Sequence, residues 1–199
     1  MRLKSLKVLM VKWSSGFTLM ELLVVMAILG ILITLGLTSY RSVQAKSRDA
    51  RRKNDMRQIA SALELYYNDY DRYPTDTNNV INGCGLAGAT ACAWGAAFQT
   101  LKADGVNIKT MYMAKLPGDP VGTYKYYYDV YGGQGKGYQL YARLENGQDI
   151  DLKRDGSNNV YYYSGTVCTT GNKKCNFGIT STNLTLDDSS QGHTLTITD

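Results

Sequence analysis

Residues 17–37 form a 21-residue apolar run in which Glu21 is the sole charged side chain. Thr18, Thr34 and the small residues Ala27, Gly30 and Gly36 are its other interruptions. At 1.5 Å of rise per residue this is a helix of about 30 Å, the thickness of a bilayer core. A helix buried in a soluble core would be shorter and would show a polar stripe. An ordinary secretory signal has an apolar stretch of about 7–15 residues ahead of a small-residue cleavage site, and no A-x-A site follows here. The run therefore reads as a membrane span. An acid inside such a span costs about 2.5–3.5 kcal/mol even on a lenient insertion scale, so Glu21 needs a partner. The nearest bases, Lys12 and Arg41, lie outside the segment. A free amine at Phe17 would supply one, and it exists only if the chain is cut between Gly16 and Phe17.

The stretch Gly16-Phe17-Thr18-Leu19-Met20-Glu21-Leu22-Leu23-Val24-Val25, behind a short basic leader, resembles the class III signal of type IV pilins and type II secretion pseudopilins. The resemblance implies that a prepilin peptidase in the membrane cuts after Gly16 and methylates the new Phe17 amine. It implies that Glu21 pairs with the Phe17 amine of a neighbouring subunit during assembly. An amine and a carboxylate attract strongly at low dielectric, but only when well aligned, so the pair would select one axial register. The family commonly carries a helix-bending proline where Thr38 stands here, so any bend in this span must rely on Gly30 and Gly36.

The net charge of +5 is unevenly spread. Residues 1–16 carry +4, residues 17–40 carry −1, residues 41–57 carry +5 and the remainder carries −3. The chain is thus a mildly acidic domain on a basic stalk. Beyond the span, Met56, Ile59, Ala60, Leu63, Tyr66, Tyr67 and Tyr70 repeat at three and four residues, which predicts an amphipathic continuation of the helix. Asp49–Lys53 and Arg51–Asp55 are read as i,i+4 pairs on its wet side. Tyr73-Pro74 is the expected stop, because a residue before proline leaves the helical region. The expectation is one helix over residues 17–71, with domains at 1–16 (leader), 17–40 (membrane half), 41–73 (amphipathic half), 74–115 (connecting loops) and 116–199 (β head and C-terminal extension).

A short helix is expected around residues 96–102. Strand signals then dominate: a Tyr-rich strand at 123–131, a turn at 132–137 and a hairpin partner at 138–144. Shorter strands are expected at 149–152, 160–163 and 194–198. The 16 tyrosines, against 3 Phe and 2 Trp, point to strands whose aromatic faces still touch water. The Leu116-Pro117-Gly118-Asp119-Pro120 approach to the first head strand and the 138–144 strand also resemble major pseudopilins. The resemblance over residues 17–150 implies an α+β, lollipop-like fold, with a long N-terminal helix on a small antiparallel β-sheet head. The resemblance does not extend to the tail from Asp155 onward, which is expected to be the surface-exposed, variable part.

Cys84, Cys92, Cys168 and Cys175 allow three pairings. Outside the cytoplasm disulfides are favoured over thiols, and the local bridges Cys84–Cys92 and Cys168–Cys175 are preferred because each closes a short loop. Their spacing does not suit zinc. Gly83, Gly85 and Gly88 spell G-x-G-x-x-G, but a long helix and a polar loop precede them where a strand is needed, so no dinucleotide site is expected. Residues 133–137 lack the Ser/Thr of a phosphate loop and read as a hairpin turn. No cofactor is expected. The alternative is calcium, which the resemblance to major pseudopilins implies near Asp149, Asp151, Asp155 and Asn158; Lys153 and Arg154 intrude there with the wrong charge. The lone histidine, His193, reads as a surface residue.

The bases of residues 41–57 could attract DNA, but no stacking aromatics interleave with them, so DNA is not an expected partner. With no nucleophile–base pair, the chain is not expected to be an enzyme. The best reading is a structural subunit of a type IV pilus or related filament, which polymerises with itself through its apolar helix. Its expected partners are other copies, the prepilin peptidase and the assembly machinery in the membrane. The precursor would be a single-pass inner-membrane protein, and the filament extracellular or periplasmic. One alternative is the major pseudopilin of a type II secretion system. Another, from a different class, is a membrane-anchored binding protein that does not polymerise.

Overall fold

The computed structural model describes residues 16–133, 135–187 and 192–199, with backbone alone for 35–39 and 133. Leader residues 1–15 therefore lie outside the described residues, as do the side chain of Thr38 and the surroundings of Gly36. Helix α1 runs Leu19–Tyr70, close to the expected 17–71. Thr18 is its N-cap. At the other end Asp71 adopts φ 53° and donates its N–H to Tyr67 O at 2.8 Å, which closes the last turn ahead of Pro74.

The chain divides into two compact units, Met1–Ser42 and Val43–Asp199. In the first, the described side chains from Phe17 to Thr34 are exposed. Among the described residues no helix is long and apolar enough to cross a membrane. Side-chain description of the apolar run stops at Thr34, short of the Leu37 that ends it in the sequence.

The second unit, the head, is built from short strands: β1 (Thr75–Thr77), β2 (Val80–Asn82), β3 (Gly85–Leu86), β4 (Phe98–Leu101), β5 (Ile108–Met113), β6 (Tyr127–Val130), β7 (Tyr138–Ala142), β8 (Tyr162–Tyr163), β9 (Phe177–Thr180) and β10 (Leu195–Thr196). They form the small sheets β1-β2, β3-β4-β5, β6-β7-β9 and β10-β8, antiparallel except for the β3-β4 pair. The architecture is α+β, a long N-terminal helix whose head portion packs against several small sheets.

Met56, Ile59, Ala62, Leu63 and Tyr66 form the buried stripe of α1 and share a core with Phe98, Leu116, Tyr126, Tyr128, Tyr138 and Leu140. All five β7 residues are buried, because the sheet is covered on both faces. Tyr128, Tyr138 and Leu140 face the helix-side core, while Tyr127 and Tyr141 join Tyr163, Cys168 and Cys175 in a second core. The tail thus covers the outer face of the central sheet and supplies its third strand, β9, contrary to the expected surface-exposed extension. The tyrosines of β6 and β7 are likewise not half-wet: Tyr127, Tyr128, Tyr138 and Tyr141 are buried. The Tyr128 hydroxyl donates to Pro74 O at 2.7 Å and that of Tyr141 to Leu186 O at 2.7 Å. Elsewhere Tyr67, Tyr70, Tyr124, Tyr131, Tyr161 and Tyr162 are half-buried and Tyr40 is exposed.

Several local expectations are corrected. Residues 98–101 are a strand, not a helix, because Phe98 and Thr100 alternate into the core at period two. Residues 149–152 form a turn in which Asp149 Oδ1 accepts the Asp151 N–H at 3.0 Å. The 123–131 strand shrinks to β6, followed by a 3-10 turn at Tyr131–Gly133. In the β6–β7 turn Gly135 has φ 68°, and its carbonyl accepts the Tyr73 N–H at 2.8 Å. A Cβ there would lie 2.5 Å from Tyr73 O, so this glycine lets the hairpin clamp the chain leaving α1.

Candidate functional site

The Gly16–Phe17 junction precedes the helix, and both residues are exposed; Phe17 retains 76% of its surface. Thr18 and Glu21 form a capping box. Thr18 N–H and Oγ1 donate to Glu21 Oε2 at 3.2 and 3.1 Å, and the Glu21 N–H donates to Thr18 Oγ1 at 3.2 Å. Glu21 therefore has hydrogen-bonding partners inside its own segment. Looking only for bases missed them, although the T-x-x-E spacing is a sequence signal. Among the described residues Glu21 makes no ion pair. The bare helix starts with orphan N–H groups and an acid in its first turn, which the helix dipole favours.

In the head, the basic stretch of α1 is largely committed within the chain. Arg52 is fully buried, with Nε and Nη2 on Asp119 at 2.7 and 2.8 Å and Nη1 on Asp49 and Glu145, each at 2.7 Å. Its guanidinium lies 4.8 Å from the centre of the Tyr124 ring. Arg48 grips Glu145 with Nε and Nη2 at 2.8 and 2.5 Å. Lys53 reaches Asp149 and Asp151, each at 2.5 Å. The expected Asp49–Lys53 pair is not formed. Asp49 turns inward to Arg52 and accepts the N–H groups of Glu145 and Asn146 at 2.9 and 2.7 Å. Arg51 and Asp55 do pair, at 3.7 Å, but Asp55 is buried and also takes the Tyr126 hydroxyl at 3.0 Å. With Arg48, Arg52 and Lys53 engaged, the charge left for a DNA backbone is smaller than the sequence suggests.

The Arg48 hydrogen bond, helped by Arg52 and opposed by burial, holds the Glu145 carboxyl below its usual range. Burial pushes the Asp149 carboxyl up, but the Lys53 bond outweighs it and the net direction is down. Depressed carboxylates stabilise the fold fully above their unfolded values, about pH 4, and lose that contribution as pH falls through the folded values. Burial raises Asp55 and Asp76, which tempers the fall. The urea midpoint should be flat from neutral to about pH 5 and drop below about pH 4, with a shallower drop in Glu145→Gln.

The cysteines pair locally. Cys84–Cys92 has a Cα separation of 5.3 Å and Cys168–Cys175 one of 5.1 Å. The second bridge is buried in the outer core. Replacing both Cys168 and Cys175 with alanine should cost about 2.5 kcal/mol, read as a shift in the urea midpoint. Gly83, Gly85 and Gly88 lie around the first bridge, with no strand–helix turn for a dinucleotide. Asp149, Asp151, Asp155 and Asn158 are not gathered. Asp155 instead accepts N–H groups from Ser157 and Asn159, and among the described residues no group of three His, Cys, Asp or Glu is placed to hold a metal ion. His193 is buried rather than superficial: Nε2 lies 2.7 Å from Asp129 Oδ2 and Nδ1 lies 3.1 Å from Ser164 O. No sequence signal links residues 64 positions apart, so this contact was not legible beforehand.

Residues 14–37 match the prokaryotic N-terminal methylation motif. Over 65 residues the chain is 32% identical to the type IV major pilin protein PilA of Myxococcus xanthus, covering 33% of this chain and 30% of that protein. Over 61 residues it is 39% identical to the type II secretion system core protein G of Aeromonas hydrophila, covering 31% and 43%. Over 136 residues it is 33% identical to the core protein G of Pseudomonas aeruginosa, covering 68% of this chain and 86% of that protein. The chain thus spans less than half of the first two relatives and most of the third. No solved structure matches it. The chain belongs to the family of type IV pilins and type II secretion pseudopilins, which are structural subunits and not enzymes.

Proposed function

We propose that the chain is the filament-building subunit of a type II secretion pseudopilus, the alternative in the sequence reading rather than its first choice. The observation that carries this is the reach of the likeness. The pilin match covers 30% of that relative, whereas the Pseudomonas core protein G match covers 86% of its own. In this reading the precursor is anchored by residues 17–37, cut between Gly16 and Phe17 and methylated on the Phe17 amine. The apolar surface from Phe17 to Ile33, exposed in a single subunit, would be buried against other copies. The amine of Phe17 would meet Glu21 of a neighbour. The cut lies in exposed chain ahead of the helix, so a peptidase can take the bond without unwinding α1.

Deleting the gene and assaying protein release and surface filaments tests the reading. Loss of secreted proteins from the medium, with long surface filaments intact, is expected. Loss of long surface filaments with secretion intact would assign the chain to a type IV pilus instead.

A further inference from the structure

Asp149 and Asp151 sit two residues apart in a turn, and both direct an oxygen at one cation. That cation is the ammonium of Lys53, carried by α1, with Nζ 2.5 Å from Asp149 Oδ1 and 2.5 Å from Asp151 Oδ2. Only 13% of the Lys53 side chain and 15% of that of Asp149 remain exposed, so water does little to screen their contact. The amine also lies 5.7 Å from the Phe177 ring centre, on the first residue of β9. One side chain of the helix thus fastens a turn and approaches the third strand of the central sheet. Burial disfavours the charged amine, but the bonds to the two aspartates outweigh it, so the ammonium is kept charged.

The donor set does not suit the calcium ion that the family resemblance implies in this region. Calcium takes about 6–8 oxygens, several from carboxylates converging on one point. Here Asp155 is turned to the amide groups of Ser157 and Asn159, and the Asn158 carbonyl accepts from Arg154 at 3.1 Å. The two carboxylates that remain aimed together already hold a positive charge fixed to the chain.

We propose that the Lys53 ammonium is a tethered counter-ion that does the fastening work of a metal at the 149–151 turn and makes the head independent of calcium. A free ion stabilises a fold only in proportion to the logarithm of its concentration over its dissociation constant. A covalently carried ammonium is always present, so the turn stays closed whatever the ionic composition outside the cell.

The test is thermal unfolding of the full chain in detergent, followed by near-ultraviolet circular dichroism, with excess EDTA or with millimolar calcium. The wild-type midpoint should be the same in both. Lys53→Met keeps an apolar stem near Phe177 but removes the charge, and should lower the midpoint by roughly 5 °C. Adding Asp149→Asn and Asp151→Asn to Lys53→Met removes the stranded negative charges and should recover most of that loss. A wild-type midpoint that rises with calcium or falls with EDTA would overturn the proposal. So would a Lys53→Met midpoint equal to wild type, or a triple variant no more stable than the single one.

Discussion

Replacing Arg52 with methionine should destabilise the head by about 3–5 kcal/mol, the largest loss expected from any single charge in the chain. The guanidinium is fully buried and is the shared partner of Asp49, Asp119 and Glu145. Removing it strands carboxylates that have little water to turn to, Asp49 and Asp119 having 1% of their side chains exposed. Burial lowers the tendency of Arg52 to hold its proton, but the carboxylate bonds outweigh that cost, so the hub is charged at every pH at which the protein folds. Arg52→Lys should recover little, since an ammonium cannot present the paired N–H groups that meet both oxygens of Asp119. By contrast Arg51→Met, whose pair is exposed on the arginine side and 3.7 Å long, should stay within about 0.5 kcal/mol of wild type. Urea unfolding of the three variants checks the ranking. Equal midpoints for Arg52→Met and Arg51→Met would mean that the buried network contributes nothing beyond a surface pair.

Glu21→Gln should block filament assembly while leaving the precursor inserted and cut. The capping box makes this the informative substitution, because glutamine at the third helical position can still accept the Thr18 N–H. The helix start is preserved and only the charge is lost. A Phe17 amine buried among apolar neighbours would then lack a counter-charge, at a cost of several kcal/mol per subunit that recurs at every step of growth. Glu21→Ala removes the charge together with the side-chain half of the capping box and should be at least as damaging. Thr18→Ala weakens the cap by about 1 kcal/mol, keeps the acid, and should still assemble. Filament yield in sheared fractions and subunit level in membranes read the outcome. Normal filaments from Glu21→Gln would reduce Glu21 to a helix cap.

Much of this architecture was legible in the sequence because it is written in local pattern. The apolar run and its three-and-four periodicity set α1 to within two residues at each end, and Tyr73-Pro74 announced its stop. The Tyr-rich hairpin was legible from alternation and its glycine turn. What was not legible depends on distance along the chain. The partners of Arg52 at Asp119 and Glu145 lie 67 and 93 residues away, and no local rule brings them together. A local rule instead paired Asp49 with Lys53, whereas the fold draws each to a different part of the head. The strand β4 was misread because Ala96-Ala97-Phe98 favours helix in isolation, and the packing of Phe98 against Tyr66 and Tyr112 overrides it. The tail was misread because β9 has only four residues and earns its place by completing a sheet whose other strands are distant.

The account rests on the N-terminus, and the intact mass of subunits recovered from assembled filaments tests it most directly. The expected species is the 183-residue chain left when the first 16 of 199 residues are removed, beginning at Phe17, one methyl group heavier and with both disulfides closed. A filament subunit that retains Met1, or one cut beyond residue 37, would contradict it.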